Sequence, residues 1–310
     1  MRLFQLTRDH HPEITIHGQI GLIHKEQLIL YPDRDTPIVS RSLLKPWQFL
    51  ATELNPSQDF WTMGLASHSG EEIQIQKLHE LQEILGISTE DLFCPKSYPS
   101  DQKTAWTLRL KGAEKEKIYN PCFGKHLIYR YAHHRENNSV RYDDLTSPVH
   151  KRLDAKIHQI TRGNHKWLRD SCGLPTLLTA MTHQLHLWQS LNADLPAFKQ
   201  LRQIWLDHPV LIGGSSRLDT QIMQHVPGLL AKEGADGLLA LQTTGNSPTT
   251  ILVKLSHGFS PKHSGTALYV LLNQLQSDCP LLTQLLVFLK NQLGHWVNKD
   301  QRLVSCLPSS

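Results

Sequence analysis

The sequence predicts a mixed α and β (α+β) fold: a mainly antiparallel sheet built from the N- and C-terminal segments, with a helical lobe between them. Three observations predict it. Runs of β-branched and aliphatic residues stand near both ends, at 14–30 and again at 237–242 and 250–256. From 71 to about 210 the apolar residues recur at helical spacing, broken by Gly, Asn, Asp or Pro. No internal repeat, low-complexity tract or long linker divides the 310 residues. One domain, 1–310, is therefore expected, with its sheet drawn from about 1–70 and 211–310 and its helices from about 71–210.

Taken in order, ITIHGQIGLIHKEQLIL at 14–30 reads as a strand hairpin around the polar break His24-Lys25-Glu26-Gln27. Another strand ends near Thr36–Ser40. Ser40 or Arg41 then opens a helix to about Leu54, because Pro46 is tolerated only in a first turn while Trp47, Leu50 and Ala51 supply an apolar face. Further helices are expected at 71–85, 123–134, 147–161, 175–191 and 196–207, and apolar ones at 264–276 and 280–293. The polar stretch 133–144 reads as an exposed loop.

Composition excludes several classes. Lys plus Arg total 32 against 28 for Asp plus Glu, and the formal charge of +4 is too small and too scattered to argue for nucleic acid. MRLFQLTRDHHPEITIHG lacks the basic patch and apolar stretch of a secretory signal, and no run reaches the roughly 20 apolar residues of a membrane span. Five cysteines are an odd and sparse set for a disulfide framework. A cytoplasmic protein without membrane attachment is the expectation. The nineteen histidines are dispersed and read as surface or hydrogen-bonded side chains.

The first chemical signal is Arg41-Ser42-Leu43-Leu44-Lys45-Pro46. A serine hydroxyl is a poor nucleophile until a base removes its proton, and a lysine three residues on along a helix shares its face. Lys45 serves as that base if burial or a neighbouring cation keeps it neutral. Ser-x-x-Lys alone occurs by chance in many chains. Here Ala66-Ser67-His68-Ser69-Gly70 and then Lys232-Glu233-Gly234 follow, giving S-L-L-K, S-H-S, K-E-G where penicillin-recognising serine hydrolases carry S-x-x-K, S-D-N, K-T-G in that order, at different spacing. By themselves Ser69 reads as a helix cap, with Glu72 at capping-box spacing, and Lys232 as a solvated lysine in a Gly-bounded turn.

Cys122-Phe123-Gly124-Lys125-His126 opens one helical stretch, and Cys172 precedes another expected near Pro175. Two thiolates meeting at helix N-termini would suit Zn²⁺, with a third ligand from Lys125, His126 or Asp170. Two reduced core cysteines explain the same residues.

With these residues assembled, the chain resembles the bacterial asparaginase II family of the Rhizobium etli inducible type. RSLLKPWQFL is similar to the family's R-S-x-x-K-P-x-Q-A-L, ASHSGEE to A-S-H-S-G-E, and NPCFGKH to N-N-C-S-G-K-H. RDSCGLPT is similar to D-G-C-x-x-P, HPVLIGGSSRLDTQIM to H-P-x-x-V-A-G-x-x-R-x-D-T-x-L-M, and KEGADG to K-x-G-A-E-G. The resemblance implies a β-lactamase-like or glutaminase-like fold and hydrolysis of L-asparagine, or of a related small amide. It also implies two Ser-Lys pairs, Ser42 with Lys45 and Ser67 with Lys232, a zinc held by Cys122, Lys125 and Cys172 that orients substrate, and a homodimer. Asp170 is the implied partner of the substrate α-amino group, with Arg41 and His126 as further substrate contacts.

The chain departs from the family pattern at Pro121, Phe123 and Ser171, and between Tyr142 and His150. The early E-S-x-H motif is not cleanly present near Glu13–His17. A phenylalanine at 123 is expected to narrow the site beside the metal loop or change its polarity. Two other readings follow: a catalytically impaired relative that binds a small amino acid or a partner, and a penicillin-recognising hydrolase, which the missing export signal disfavours.

Overall fold

The computed structural model describes residues 1–54, 58–136, 139–245, 248–258 and 260–308, with backbone alone at 58–60. The chain divides into two units, Met1–Ile38 with Ala180–Ala193 and Arg217–Ser310, and Val39–Thr179 with Asp194–Ser216.

Unit one holds the expected antiparallel sheet. Its strands run in the order Arg302–Ser305, Arg2–Arg8, His11–His24, Thr250–Leu255, Leu238–Thr243, Leu229–Gly234, and Gln27–Tyr31 pairs with His11–His24 as the predicted hairpin. Leu229–Gly234 and Leu238–Thr243 are buried along their whole length, which explains their unbroken apolar reading. The helix Met181–Ser190 lies close to the sheet because Gly21 has no side chain there. A Cβ at Gly21 would stand 2.8 Å from Leu185 and Met181 side-chain atoms.

Unit two is mainly helical, and its core gathers Met63, Ala66, Leu78, Leu81, Leu85, Leu92, Ile118, Phe123 and Leu127. The helices Gln58–Leu65 and Phe123–Arg135 pack tightly at Gly124, where any Cβ would overlap the Met63 carbonyl oxygen.

Several expectations need correction. The helix after Arg41 is a 3₁₀ turn, Arg41–Leu44, followed by the α-helix Lys45–Leu50. It stops short of Leu54 because the Thr52 hydroxyl donates to the Phe49 carbonyl and Glu53 takes a left-handed backbone, φ 52°. The expected helix 175–191 begins as a strand, Pro175–Ala180, paired with His165–Arg169. Apolar periodicity could not separate six strand residues from the helix that follows. The strands Arg2–Arg8, Leu229–Gly234 and Arg302–Ser305 and the helix Gln102–Leu110 are additions.

Ser69 caps nothing. Glu71 and Gln74 form the capping box of the helix Glu72–Leu85 instead. The stretch 133–144 is not an exposed loop throughout, since the helix runs to Arg135 and Tyr142 and Asp143 are buried. Within it Asn137 and Asn138 lie outside the described residues.

Candidate active site

Arg41 stands immediately before Ser42 with φ 47°, a left-handed backbone that a non-glycine residue adopts at a cost of about 1–3 kcal/mol. Its contacts hold it there. The Arg41 N–H donates to Thr176 Oγ1 at 3.0 Å, Nε meets Asp170 Oδ1 at 2.9 Å, and Nη2 donates to Ser171 Oγ at 2.9 Å. The 3₁₀ turn that presents half-buried Ser42 is thus fastened to the hairpin turn carrying Asp170 and Cys172.

Lys45 follows one turn later and is fully buried. Its Nζ donates to the carbonyl of Ala66, and to that of Pro121 at 3.3 Å. One amine therefore touches the residue before Ser67 and the residue before Cys122.

The Ser67 loop is held from several sides. Ser67 N–H donates to Ile212 O at 2.8 Å, and Ser69 Oγ donates to Gly213 O at 2.6 Å. Gln74 Oε1 accepts from the N–H groups of Ser69, Gly70 and Glu71, while Nε2 donates to Val210 O at 2.9 Å and Leu211 O at 3.2 Å. Ser67 Oγ itself is buried and has no hydrogen-bond partner among the described residues. A buried hydroxyl left in this way has its bonding capacity open to another molecule.

Cys122 is the N-cap of the helix Phe123–Arg135, with its N–H donating to Asn120 Oδ1 at 3.0 Å. Cys122 and Cys172 are both buried and hydrogen-bond one another. The Cys172 thiol donates, so Cys122 is held well below the ordinary thiol range, with Lys125 and Lys45 adding to the effect against burial. Cys172 is correspondingly pushed well up by the bond to Cys122 and by burial. Burial pulls the Lys125 amine down, but Cys122, Cys172 and Asp170 outweigh it and raise it above the lysine range. Gln48 Oε1 accepts from Lys125 Nζ at 3.3 Å, and Gln48 Nε2 donates to Pro175 O at 2.9 Å. Cys172 sits in a hairpin turn, so only Cys122 has the helix N-terminus that was expected of both.

His126 is fully buried, and burial followed by the Lys125 charge pulls it down to about 3, leaving a neutral ring at physiological pH. Its Nδ1 lies 2.8 Å from the Tyr142 hydroxyl, which also accepts from Phe93 N–H at 2.7 Å. Phe123 does not narrow a pocket. Its side chain is fully buried in the apolar core beside Ala66 and Leu127.

Unit two alone therefore carries Arg41, Ser42, Lys45, Ser67, Cys122, Lys125, His126, Asp170 and Cys172, and Lys232 belongs to unit one. Lys232 is not in a solvated turn. It lies inside the strand Leu229–Gly234, fully buried, with Nζ 3.3 Å from Asp219 Oδ2. Gln48 could have been found in the K-P-x-Q motif and Asp219 in R-L-D-T. Gln74 carried no signal beyond its place three residues after Glu71.

Among the described residues no group of three or more His, Cys, Asp and Glu gathers to hold a metal ion, and no helix is long and apolar enough to cross a membrane. None of the curated proteins compared with the chain matches it. The family comparison places it among the hydrolases of the asparaginase type, which act on a small-molecule amide. The match, to the L-asparaginase II family, runs over residues 4–301, and the chain belongs to that family.

Proposed function

We propose that this chain hydrolyses L-asparagine to L-aspartate and ammonia through an acyl-enzyme, with Ser42 as nucleophile and Lys45 as its base. The observation that carries the reading is the Lys45 amine, buried and donating to the carbonyls of Ala66 and Pro121. A neutral amine has two N–H donors and one lone pair. Donation to two carbonyls is compatible with that neutral form.

Ser42 Oγ attacks the side-chain amide carbon as its proton passes to Lys45 Nζ. The C–N bond then breaks, and the same proton leaves on ammonia. Water attacks the resulting ester, Lys45 takes a proton from it and returns that proton to Ser42 Oγ, and aspartate is released. Ser67, whose buried hydroxyl has no partner among the described residues, and Lys232 are the second serine and lysine that the motifs imply. Asp170, Arg41 and His126 contact the substrate, the carboxylate of Asp170 meeting its α-amino group.

Zinc is the cofactor we assign to Cys122, Lys125 and Cys172. The donor set fits it in kind: Cys122 and Cys172 are buried side by side, and the Lys125 amine beside them would complete an S₂N set on giving up its proton. When bound, the metal would polarise and orient the substrate. A homodimer in the cytoplasm completes the proposal, with sedimentation and cell fractionation as its checks.

Ammonia release from asparagine, glutamine and other small amides tests the reading. Asparagine turnover is expected in the wild type and its loss in Ser42→Ala. No turnover of any amide by the wild type would overturn the proposal, and turnover surviving Ser42→Ala moves the nucleophile to Ser67. Elemental analysis tests the metal: zinc near one per chain is expected, falling in Cys172→Ala.

A further inference from the structure

Unit one contains a buried ionic cluster of its own, made by Arg217, Asp219, Lys232 and Glu233. Asp219 and Lys232 are fully buried and Glu233 is 2% exposed. The strand Leu229–Gly234 ends the sheet, so among the described residues its outer backbone edge has no strand to pair with. Asp219, in the first turn of the helix Leu218–His225, covers that edge: its Oδ2 accepts the Glu233 N–H at 2.8 Å. The same oxygen lies 3.3 Å from Lys232 Nζ, which also donates to the Glu233 carbonyl at 2.9 Å. Arg217 Nε stands 2.6 Å from Glu233 Oε2 and 3.7 Å from Asp219 Oδ1.

The cluster holds two basic and two acidic side chains and is neutral when all four are ionised. It is equally neutral when Lys232 has lost its proton and Glu233 carries one. Discharging Lys232 with no carboxylate taking up its proton strands a net charge in the interior, which costs several kcal/mol, and Asp219 Oδ2 is already engaged by the Glu233 N–H at 2.8 Å and by Lys232.

We propose that Glu233 is the charge-balancing partner of Lys232: one proton shifts from the Lys232 amine to the Glu233 carboxylate, so that Lys232 becomes a neutral base while the cluster stays uncharged. This deepens the functional reading above and rests on its assignment of Lys232 as a base. The surroundings agree. Burial, opposed by Arg217, pushes Glu233 up to about 7, whereas burial pulls Lys232 down against the attraction of Asp219. Burial raises Asp219, but Lys232 and Arg217 outweigh it and hold it low, and Glu233 and Asp219 keep Arg217 charged despite burial. These two are the fixed pair. Of the elements packed on the strand, Leu238–Thr243 offers no titratable side chain, and the other titratable group of Leu218–His225 is exposed His225, stacked on Phe288.

Glu233→Gln decides it, because a carboxamide cannot ionise and Lys232⁺ then becomes the uncompensated charge. Lys232 is expected to release its proton at lower pH, by about one unit or more. Two readouts follow this: the acid limb of the kcat/KM profile, and the ¹³Cε resonance of Lys232, identified by its loss in Lys232→Arg. A lysine titration unmoved in Glu233→Gln overturns the proposal. Should that variant fail to fold, the wild type decides, since Lys232 Cε and Glu233 Cδ are expected to share a titration midpoint, and separate midpoints overturn the exchange. Lys232→Met with full turnover removes Lys232 from the reaction, which is a failure of the functional reading that the resonance titration detects independently.

Discussion

Lys45 in the helical unit and Lys232 in the sheet unit are both fully buried amines, and the chain accommodates them by opposite means. Backbone carbonyls of Ala66 and Pro121 accept from Lys45, and these two contacts are open to a neutral amine as well as to a charged one. A carboxylate receives Lys232, and that partner favours the charged form unless another group compensates. The difference teaches that a buried lysine can be received by neutral acceptors, which suit either charge state, or by a carboxylate, which favours the charged one.

The largest expected effect tests the first half of the comparison. Lys45→Met keeps the length of the side chain and removes the base, so amide turnover is expected to fall about 10²–10⁴-fold, as measured by ammonia release on folded protein. Full turnover by the variant would break the comparison at once, because Lys45 would then be only a structural donor.

Asp219→Ala probes the other half. It leaves Lys232 in the interior without its carboxylate, and a loss of about 3–5 kcal/mol is expected in urea unfolding. A loss well under 1 kcal/mol would mean that Lys232 already folds uncharged.

Phe123→Ser sharpens the account of the carbonyl cradle. Phe123 packs in the same apolar cluster as Ala66, so truncation is expected to cost about 3–4 kcal/mol of stability while leaving the preference between asparagine and glutamine unchanged. A changed preference with unchanged stability would return Phe123 to the pocket wall.

The smallest effects have opposite signs in the two units. Glu233 is raised from 4.5 to about 7, so its contribution to stability is complete below about pH 4.5 and is lost as pH rises through 7. His150, packed edge-on to Trp167 in unit two, is lowered from 6.5 to about 4 by burial. Its contribution is complete above about pH 6.5 and is lost as pH falls through 4. Urea midpoints across this range should therefore lose their fall toward neutrality in Glu233→Gln and part of their fall toward acid in His150→Gln.

Much of the fold was legible because hydrophobic period reports burial directly. The hairpin at 14–30, the helix Glu72–Leu85 and the closing helices came through, each being long enough to show its period. Pro175–Ala180 was misread because six apolar and β-branched residues abut a helix without a break. Ser69 was misread because its capping spacing is local, while its bond to Gly213 spans 144 residues. Phe123 was assigned to the site by proximity in sequence to Cys122, although successive positions on a helix point in different directions.

By itself the sequence determined the chemistry available to this protein. The Ser-x-x-Lys turn, the Ser67 loop, the two cysteines with Lys125 and the family they mark can all be read from residue types and spacing. The tertiary structure alone decided which groups are partners. That Lys45 reaches both Ala66 and Pro121, that Gln74 pins the Ser67 loop, and that Asp219 and Glu233 surround Lys232 are long-range consequences of packing. Charge and hydrogen-bond energies depend on distance and burial in space, and no local spacing rule contains those quantities.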